Sequence, residues 1–366
     1  MTTVKCISAD SHVIEPPDLW TNYIDPKFKD RAPHCEREDG KDIFKCDGVE
    51  LIQVGALSGA GRSIEKLESK GSYERDVPPG SYDPKSRIDE MAVDGVEAEV
   101  LYPSVALRMY ALPDSEYQLA CFKAYNRWMA DYCKQYPDNF RGIGLVPIDD
   151  VETAVGEVKH CASLGLSGVS IALTADENRT YDNPTYEPLW VAAEEHNLPI
   201  SLHILTERRY KPVARGVDSI ASQITVVSAI QDAFARLIFS GVLRNHPDLK
   251  LVSAENDIGW AAYFCERSDY LFDRRRAFYQ FAIPRDMQPS EYFQRQCYLT
   301  FMRDRSGILA RSITGVENLM WSSDYPHQDS TWPDSQAMIQ RLVGDIPEDE
   351  AHKIIAGNAA KLYNFN

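Results

Sequence analysis

Short apolar runs alternate with amphipathic stretches along most of this chain. The first run, residues 5–9, has the length and apolar content of a buried strand and leads directly into Asp10, His12 and Glu15. Side chains alternate faces along a strand, so Asp10 and His12 are expected to point the same way off its C-terminal end. Residues 18–84 follow with no sustained period; they hold Pro26, Pro33, Pro78 and Pro79, a charged patch at 35–41 and a glycine-rich stretch at 55–61. Within them, 44–54 predicts a small hairpin turning at Asp47-Gly48. So long an insertion between regular elements is expected to form a lid or a substrate loop.

Periodicity returns at Asp83. Helices are predicted over 86–94 (ended by Gly95), 115–136, 150–164, 186–196, 227–245 and 347–363. The apolar face of 150–164 is Val151, Ala154, Val155, Val158 and Ala162, with Gly165 as its cap. Strands are predicted over 96–102, 140–146, 166–173, 199–204, 249–254, 297–301 and 317–323. With the first run, these predict a (β/α)8 TIM-type barrel in one domain over 1–366, with 18–84 as an insertion after the first strand. A doubly wound sheet is disfavoured, because there is no Gly-x-Gly-x-x-Gly turn and no P-loop.

Composition narrows the function classes. The chain has 366 residues, 44% hydrophobic and 26% charged, and its net charge of −16 comes from 55 acidic against 39 basic residues. That balance argues against nucleic acid or an anionic membrane as partner. Eight cysteines occur without a Cys-x-x-Cys pair, as expected in a reducing cytosol. There is no basic-then-apolar leader and no apolar run near the ~20 residues of a membrane span. A soluble, cytoplasmic enzyme acting on a small molecule is the expectation.

Candidate chemistry gathers at strand ends. Asp10 and His12 follow the first predicted strand, His203 ends the fifth, Glu255 follows the sixth, Arg303 the seventh and Asp324 the eighth. In a barrel all of these lie on the C-terminal rim, where carboxylates and imidazoles together suit a divalent cation. Each has a plainer role open to it. His203 could be a core histidine, Glu255 a cap for 256–259, and Asp324 the anchor of the Asp324-Tyr325-Pro326 turn. Four strands offering such residues in one register favour the metal site. Arg303 could grip a substrate carboxylate in bidentate fashion or serve packing. Tyr102, Ser104 and Trp332 could line the pocket or pack. Trp20, Trp260 and Trp321 are assigned to core; His34, His160, His196, His246 and His352 are read as structural.

The segments Ala9-Asp10-Ser11-His12, Tyr136-Pro137-Asp138, Pro188-Leu189-Trp190, Leu202-His203, Pro247-Asp248-Leu249-Lys250 and Ser323-Asp324-Tyr325-Pro326-His327 resemble the amidohydrolase superfamily. The likeness is to its amidohydrolase-related branch, which includes aminocarboxymuconate-semialdehyde and γ-resorcylate decarboxylases. It implies a distorted barrel, a divalent metal, and an activated water or directly bound substrate. The family's ligands fall on Asp10, His12, His203 and Asp324. Three departures stand out: Asp10 where histidine or glutamate is usual, Glu255 where histidine is common, and His327 where an aromatic is common. Asp10, His12, His203, Glu255, Asp324 and His327 together exceed the needs of one four- or five-coordinate zinc. One or two ions of Zn²⁺, Mn²⁺ or Fe²⁺ are admissible, with Glu255 or Asp324 bridging, unless Glu255 and His327 only orient the ligands.

Three functions are then expected in competition. The first is a metal-dependent hydrolase or non-oxidative decarboxylase of a small organic or aromatic carboxylate or amide. Asp324, Glu255, His327 and Arg303 would be its catalytic residues. The second is an O₂-dependent monooxygenase with a dinuclear iron or iron–manganese centre. The third is an inactive barrel serving as a partner subunit. Family analogy adds a homodimer.

Overall fold

The computed structural model describes residues 5–67, 70–175, 179–208 and 216–365. Eight strands form one parallel sheet: β1 (Cys6–His12), β5 (Val96–Tyr102), β6 (Phe140–Leu145), β7 (Gly168–Ile171), β8 (Ile200–His203), β9 (Leu251–Ala254), β10 (Cys297–Phe301) and β11 (Leu319–Trp321), neighbours in that order. Between β1 and β5 lies a separate antiparallel sheet of β2 (His34–Glu38), β3 (Lys41–Cys46) and β4 (Val49–Gln53). The predicted (β/α)8 barrel is therefore the observed fold.

The local signals that marked the helices act as expected. The carboxylates of Asp83, Asp114 and Asp150 accept from the backbone N–H groups of Ser86, Tyr117 and Thr153, capping three helices. Gly95 and Gly165 end two of them at φ of 72° and 80°, a region costly to residues with a Cβ. The predicted hairpin is β3–β4, with Asp47 and Gly48 both at positive φ. A second Asp-Gly pair, Asp39-Gly40, turns in the same way and adds β2, so the charged patch at 35–41 is largely an exposed edge strand.

Some boundaries differ. β1 continues to His12, which places Asp10 and His12 inside the strand. The single helix expected over 227–245 breaks after Val227–Phe239, because Gly241 adopts φ of 85° before Val242–Asn245. The closing helix contains a wide turn at Lys353–Gly357. The helices Val217–Thr225, Ala261–Arg275 and Pro289–Gln296 had no counterpart in the sequence reading. No helix among the described residues is long and apolar enough to cross a membrane.

The barrel closes where β1 meets β11. Backbone bonds run from the Asp324 N–H to the Asp10 carbonyl (3.0 Å) and from the His12 N–H to the Tyr325 carbonyl (2.7 Å). Beneath them, the hydroxyls of Ser8, Ser11 and Ser323 interlink at 2.8–3.3 Å, and Ser11 donates to Glu99. Arg87 clasps this seam from outside. Its Nε donates to Glu99 at 2.6 Å and its Nη1 to the His12 carbonyl at 2.8 Å, and its guanidinium lies 4.5 Å from the Tyr325 ring centre. Arg87 and Glu99 are 0% and 2% exposed.

Removing one partner of such a pair leaves an uncompensated buried charge, at a cost of about 3–5 kcal/mol. Glu99→Gln is therefore expected to lower the denaturant midpoint of unfolding markedly. An unchanged midpoint would mean that Arg87 is not held as an isolated buried ion.

Candidate metal centre

The C-terminal face of the barrel brings together six side chains from four strands and the segments that follow them. Asp10 and His12 come from β1 and His203 from the end of β8. Glu255 follows β9, Asp324 follows β11, and His327 is three residues further on. Glu255 and Asp324 occupy the left-handed region at φ of 56° and 55°. That conformation costs a side-chain-bearing residue about 1–3 kcal/mol and is found where function holds it in place.

Two of the three imidazoles have their protons placed by backbone carbonyls. His12 Nδ1 lies 2.8 Å from the Pro103 carbonyl and His203 Nδ1 2.8 Å from the Ile204 carbonyl. A carbonyl only accepts, so both Nδ1 atoms carry hydrogen and both Nε2 atoms present lone pairs. Those Nε2 atoms lie 3.3 Å apart, at 3.5 and 3.6 Å from Asp10 Oδ1. Donors on one ion with bonds of about 2.1 Å in tetrahedral arrangement are about 3.4 Å apart. Asp324 Oδ1 is 3.5 Å from His12 Nε2, and Glu255 Oε2 is 3.3 Å from His203 Nε2. Asp10 Oδ1, Glu255 Oε2 and Asp324 Oδ2 are buried with no hydrogen-bond partner among the described residues. Two overlapping sets, Asp10/His12/His203 and His12/Glu255/Asp324/His327, are each compact enough to hold an ion.

Electrostatics give the same picture of an unbalanced cluster. Burial raises Asp10, but hydrogen bonds and charge from His12 and His203 outweigh it and hold the carboxyl well below the usual range. Burial, reinforced by the charges of Asp324 and Asp10, drives Glu255 well above its ordinary value. Asp324 is pushed up to about 7 by burial, with His12 opposing. Burial and neighbouring imidazoles bring His12 and His327 down to about 4. His203 is raised, because Asp10 overcomes its burial. Three carboxylates crowded together cannot all ionise comfortably unless a cation joins them.

Other residues set this arrangement. Thr300 on β10 donates to Asp10 Oδ2 at 2.8 Å and accepts from the Glu255 N–H at 2.8 Å, fixing one carboxylate and the backbone that carries another. Glu15 lies outside the ligand cluster. It accepts the N–H groups of Ser104, Val105 and Ala106, and burial raises it to about 7 despite those bonds. It thereby positions Ser104, whose Oγ is 2.9 Å from His327 Nε2. Tyr102 packs below, its ring centre 5.1 Å from that of His203, and Trp332 packs on Tyr325. Arg303 donates to the carbonyls of Asp329 and Ser330, bracing the loop after β11. Thr300, Arg87 and Glu99 were missed from sequence. The one available signal was a hydroxyl, and an acid, inside otherwise apolar strand segments.

The insertion reaches this site through its glycine-rich stretch. The N–H groups of Gly59 and Ala60 both donate to the Pro326 carbonyl at 3.1 Å. A Cβ on Gly59 would stand 2.5 Å from Gln328 Cα, beside His327.

Comparison with known proteins agrees with this fold. A family model described as Amidohydrolase matches residues 76–365. The γ-resorcylate decarboxylase of Rhodococcus jostii (strain RHA1) is 27% identical over 304 residues, covering 76% of this chain and 86% of that protein. A crystal structure of an amidohydrolase from Mycobacterium avium subsp. paratuberculosis K-10 superposes with a TM-score of 0.80 at 19% identity, over 99% of this chain and 100% of that one. A dihydroxybenzoic acid decarboxylase of Polaromonas sp. JS666, solved with bound manganese and 2-nitroresorcinol, gives 0.65 at 19% identity, over 99% and 97%. The family match begins after β1, so Asp10 and His12 rest on their geometry alone.

Overpacking of the kind a larger residue at Gly59 would cause costs about 1–3 kcal/mol. Gly59→Val is expected to detach this segment and expose it to limited proteolysis between residues 55 and 72. An unchanged cleavage pattern would show that the contact is not needed to seat the insertion.

Proposed function

The chain belongs to the amidohydrolase family, and from that premise we propose that it is a metal-dependent, non-oxidative decarboxylase of a small aromatic acid. The observation carrying this reading is the set of lone pairs from Asp10, His12, His203 and Asp324, converging at ligand-to-ligand spacings on the rim of a barrel whose relatives include decarboxylases. Mn²⁺ is the first candidate, since a solved neighbour carries it, and the donor set admits Zn²⁺ and Fe²⁺ as well. When bound, a divalent ion supplies a Lewis-acid centre able to hold the anionic oxygens of such a substrate.

The protein's own residues have separate tasks in this reading. Asp10, His12 and His203 hold the centre, with Thr300 and the carbonyls of Pro103 and Ile204 fixing their orientation. In the reaction the bond between ring and carboxyl carbon breaks, CO₂ leaves, and the ring carbon takes a proton. Asp324, with one oxygen toward His12 and the other unpartnered, is placed to hold and deliver that proton. Glu255 and His327 flank it. Arg303 keeps N–H groups beyond those given to the loop carbonyls and would steer the substrate carboxylate. Residues 18–84 serve as the lid of a single barrel domain, seated on the loop that carries His327.

Hydrolysis of an amide or ester would use the same donors, and the assay must separate the two. No ligand position is vacant of a donor, which leaves the inactive-subunit reading without a basis. The relatives named for a reaction are decarboxylases, so the monooxygenase reading gains nothing from them.

With Mn²⁺ supplied, the protein is expected to release CO₂ from a member of a hydroxybenzoate panel without consuming O₂. Cleavage of an amide or ester with no CO₂ would replace decarboxylase by hydrolase. Asp10→Ala, His203→Ala and Asp324→Ala are each expected to lose metal and activity while keeping the circular dichroism of the fold. Full metal retention in all three would remove the ligand assignment.

A further inference from the structure

We propose that the centre takes two divalent cations, the second held by His327, Asp324 and Glu255 beside the ion on Asp10, His12 and His203. This rests on the ligand reading above and adds a site to it.

Three atoms frame the first ion. Asp10 Oδ1, His12 Nε2 and His203 Nε2 form a triangle with sides of 3.5, 3.6 and 3.3 Å. A point central to it lies about 2 Å from each donor, the length of a bond to zinc or a similar ion. His12 has no second lone pair to share, because its Nδ1–H is engaged by Pro103. Asp324 Oδ1, 3.5 Å from His12 Nε2, completes a four-coordinate set, so Glu255 and His327 exceed what this ion needs.

His327 faces the opposite way from the other two imidazoles. The Ser104 hydroxyl has one hydrogen, and the Val13 carbonyl, 2.7 Å away, can only accept it. Ser104 Oγ must then accept from His327 Nε2–H at 2.9 Å. A neutral His327 is left with its Nδ1 lone pair aimed at Asp324 Oδ1, 2.9 Å away. Two lone pairs at that separation repel unless something positive joins them. Neighbouring donors in an octahedral arrangement with bonds of about 2.1 Å stand about 3.0 Å apart, so one six-coordinate cation accounts for the spacing. Asp324 Oδ1 also lies 3.5 Å from His12 Nε2, and Glu255 Oε2 3.3 Å from His203 Nε2. Both carboxylates thus stand between the two positions and have the reach to bridge them.

Charge argues for the same count. Three carboxylates are gathered here, and neither Arg87, which pairs with Glu99, nor Arg303, which donates to loop carbonyls, forms an ion pair with any of them. One divalent ion would leave the cluster negative, which opposes an anionic substrate. A second makes it positive, which attracts one.

The test is to strip the full-length protein with chelator, reload it with Mn²⁺ alone, and measure manganese per chain together with its electron paramagnetic resonance. Two ions with an exchange-coupled signal are expected in the wild type. One ion is expected in His327→Ala, His327→Gln and Glu255→Gln, each checked for an unchanged unfolding transition in the stripped form. One ion in the wild type would overturn the second site and leave the first ligand set standing. No ion would overturn both. Two ions showing only the isolated-ion signal, or two retained in all three variants, would place the second elsewhere and overturn this assignment.

Discussion

Closure of the barrel between β1 and β11 is the constraint on which the centre depends. A continuous ladder would have needed only backbone there. Instead the join is made by two backbone bonds beyond the end of β11, three interlinked serines, and Arg87 reaching the carbonyls of both sides. The residues so joined are the neighbours of Asp10, His12 and Asp324, or those residues themselves. Seam and ligand set are therefore one structure: the bond that fixes Asp324 to Asp10 also sets the spacing of their carboxylates. Arg87 contributes without facing the centre, by holding the His12 carbonyl and thus the height of the imidazole.

Around that seam, orientation is fixed by groups that have no alternative. Carbonyls hold the Nδ1 protons of His12 and His203, and a threonine hydroxyl takes one oxygen of Asp10. Every such bond turns the opposite lone pair inward. The cost is a concentration of negative charge that no lysine or arginine among the described residues pairs with, and two residues in left-handed backbone. Folding alone gains nothing from that arrangement. It makes sense as preorganisation toward cations, whose binding returns the electrostatic energy stored in it.

Much of this is legible in the sequence. Strand and helix positions followed from period and caps, since Asp150 and Gly165 act locally and their neighbours in sequence are enough to reveal them. Asp10, His12, His203, Glu255 and Asp324 could be placed on one rim because strand ends in a barrel share a face. What was hidden depends on pairs far apart in the chain. Thr300 touches Asp10 across the barrel, and Arg87 meets Tyr325 from a different element. Glu15 lies close to His12 in sequence, yet its carboxylate turns away to three backbone amides. The left-handed turns at Glu255 and Asp324 leave no trace in composition, as both residue types occupy ordinary backbone far more often.

The insertion bears on how chemistry and selectivity divide. Its three-stranded sheet packs Phe44 against Trp20, well away from the ligands, while its glycine-rich stretch docks on the carbonyl of Pro326. That contact lies one residue before His327, so whatever moves the stretch moves the donor that most distinguishes this centre from those it resembles. The barrel rim supplies fixed donors from strands that cannot shift without opening the seam. In the reading of residues 18–84 as a lid, variation in what the site accepts would fall to the insertion, which meets the rim through two N–H groups and a glycine too closely packed to accept a side chain. A change of substrate by evolution would be expected to alter residues 18–84 and to leave the strand ends as they are.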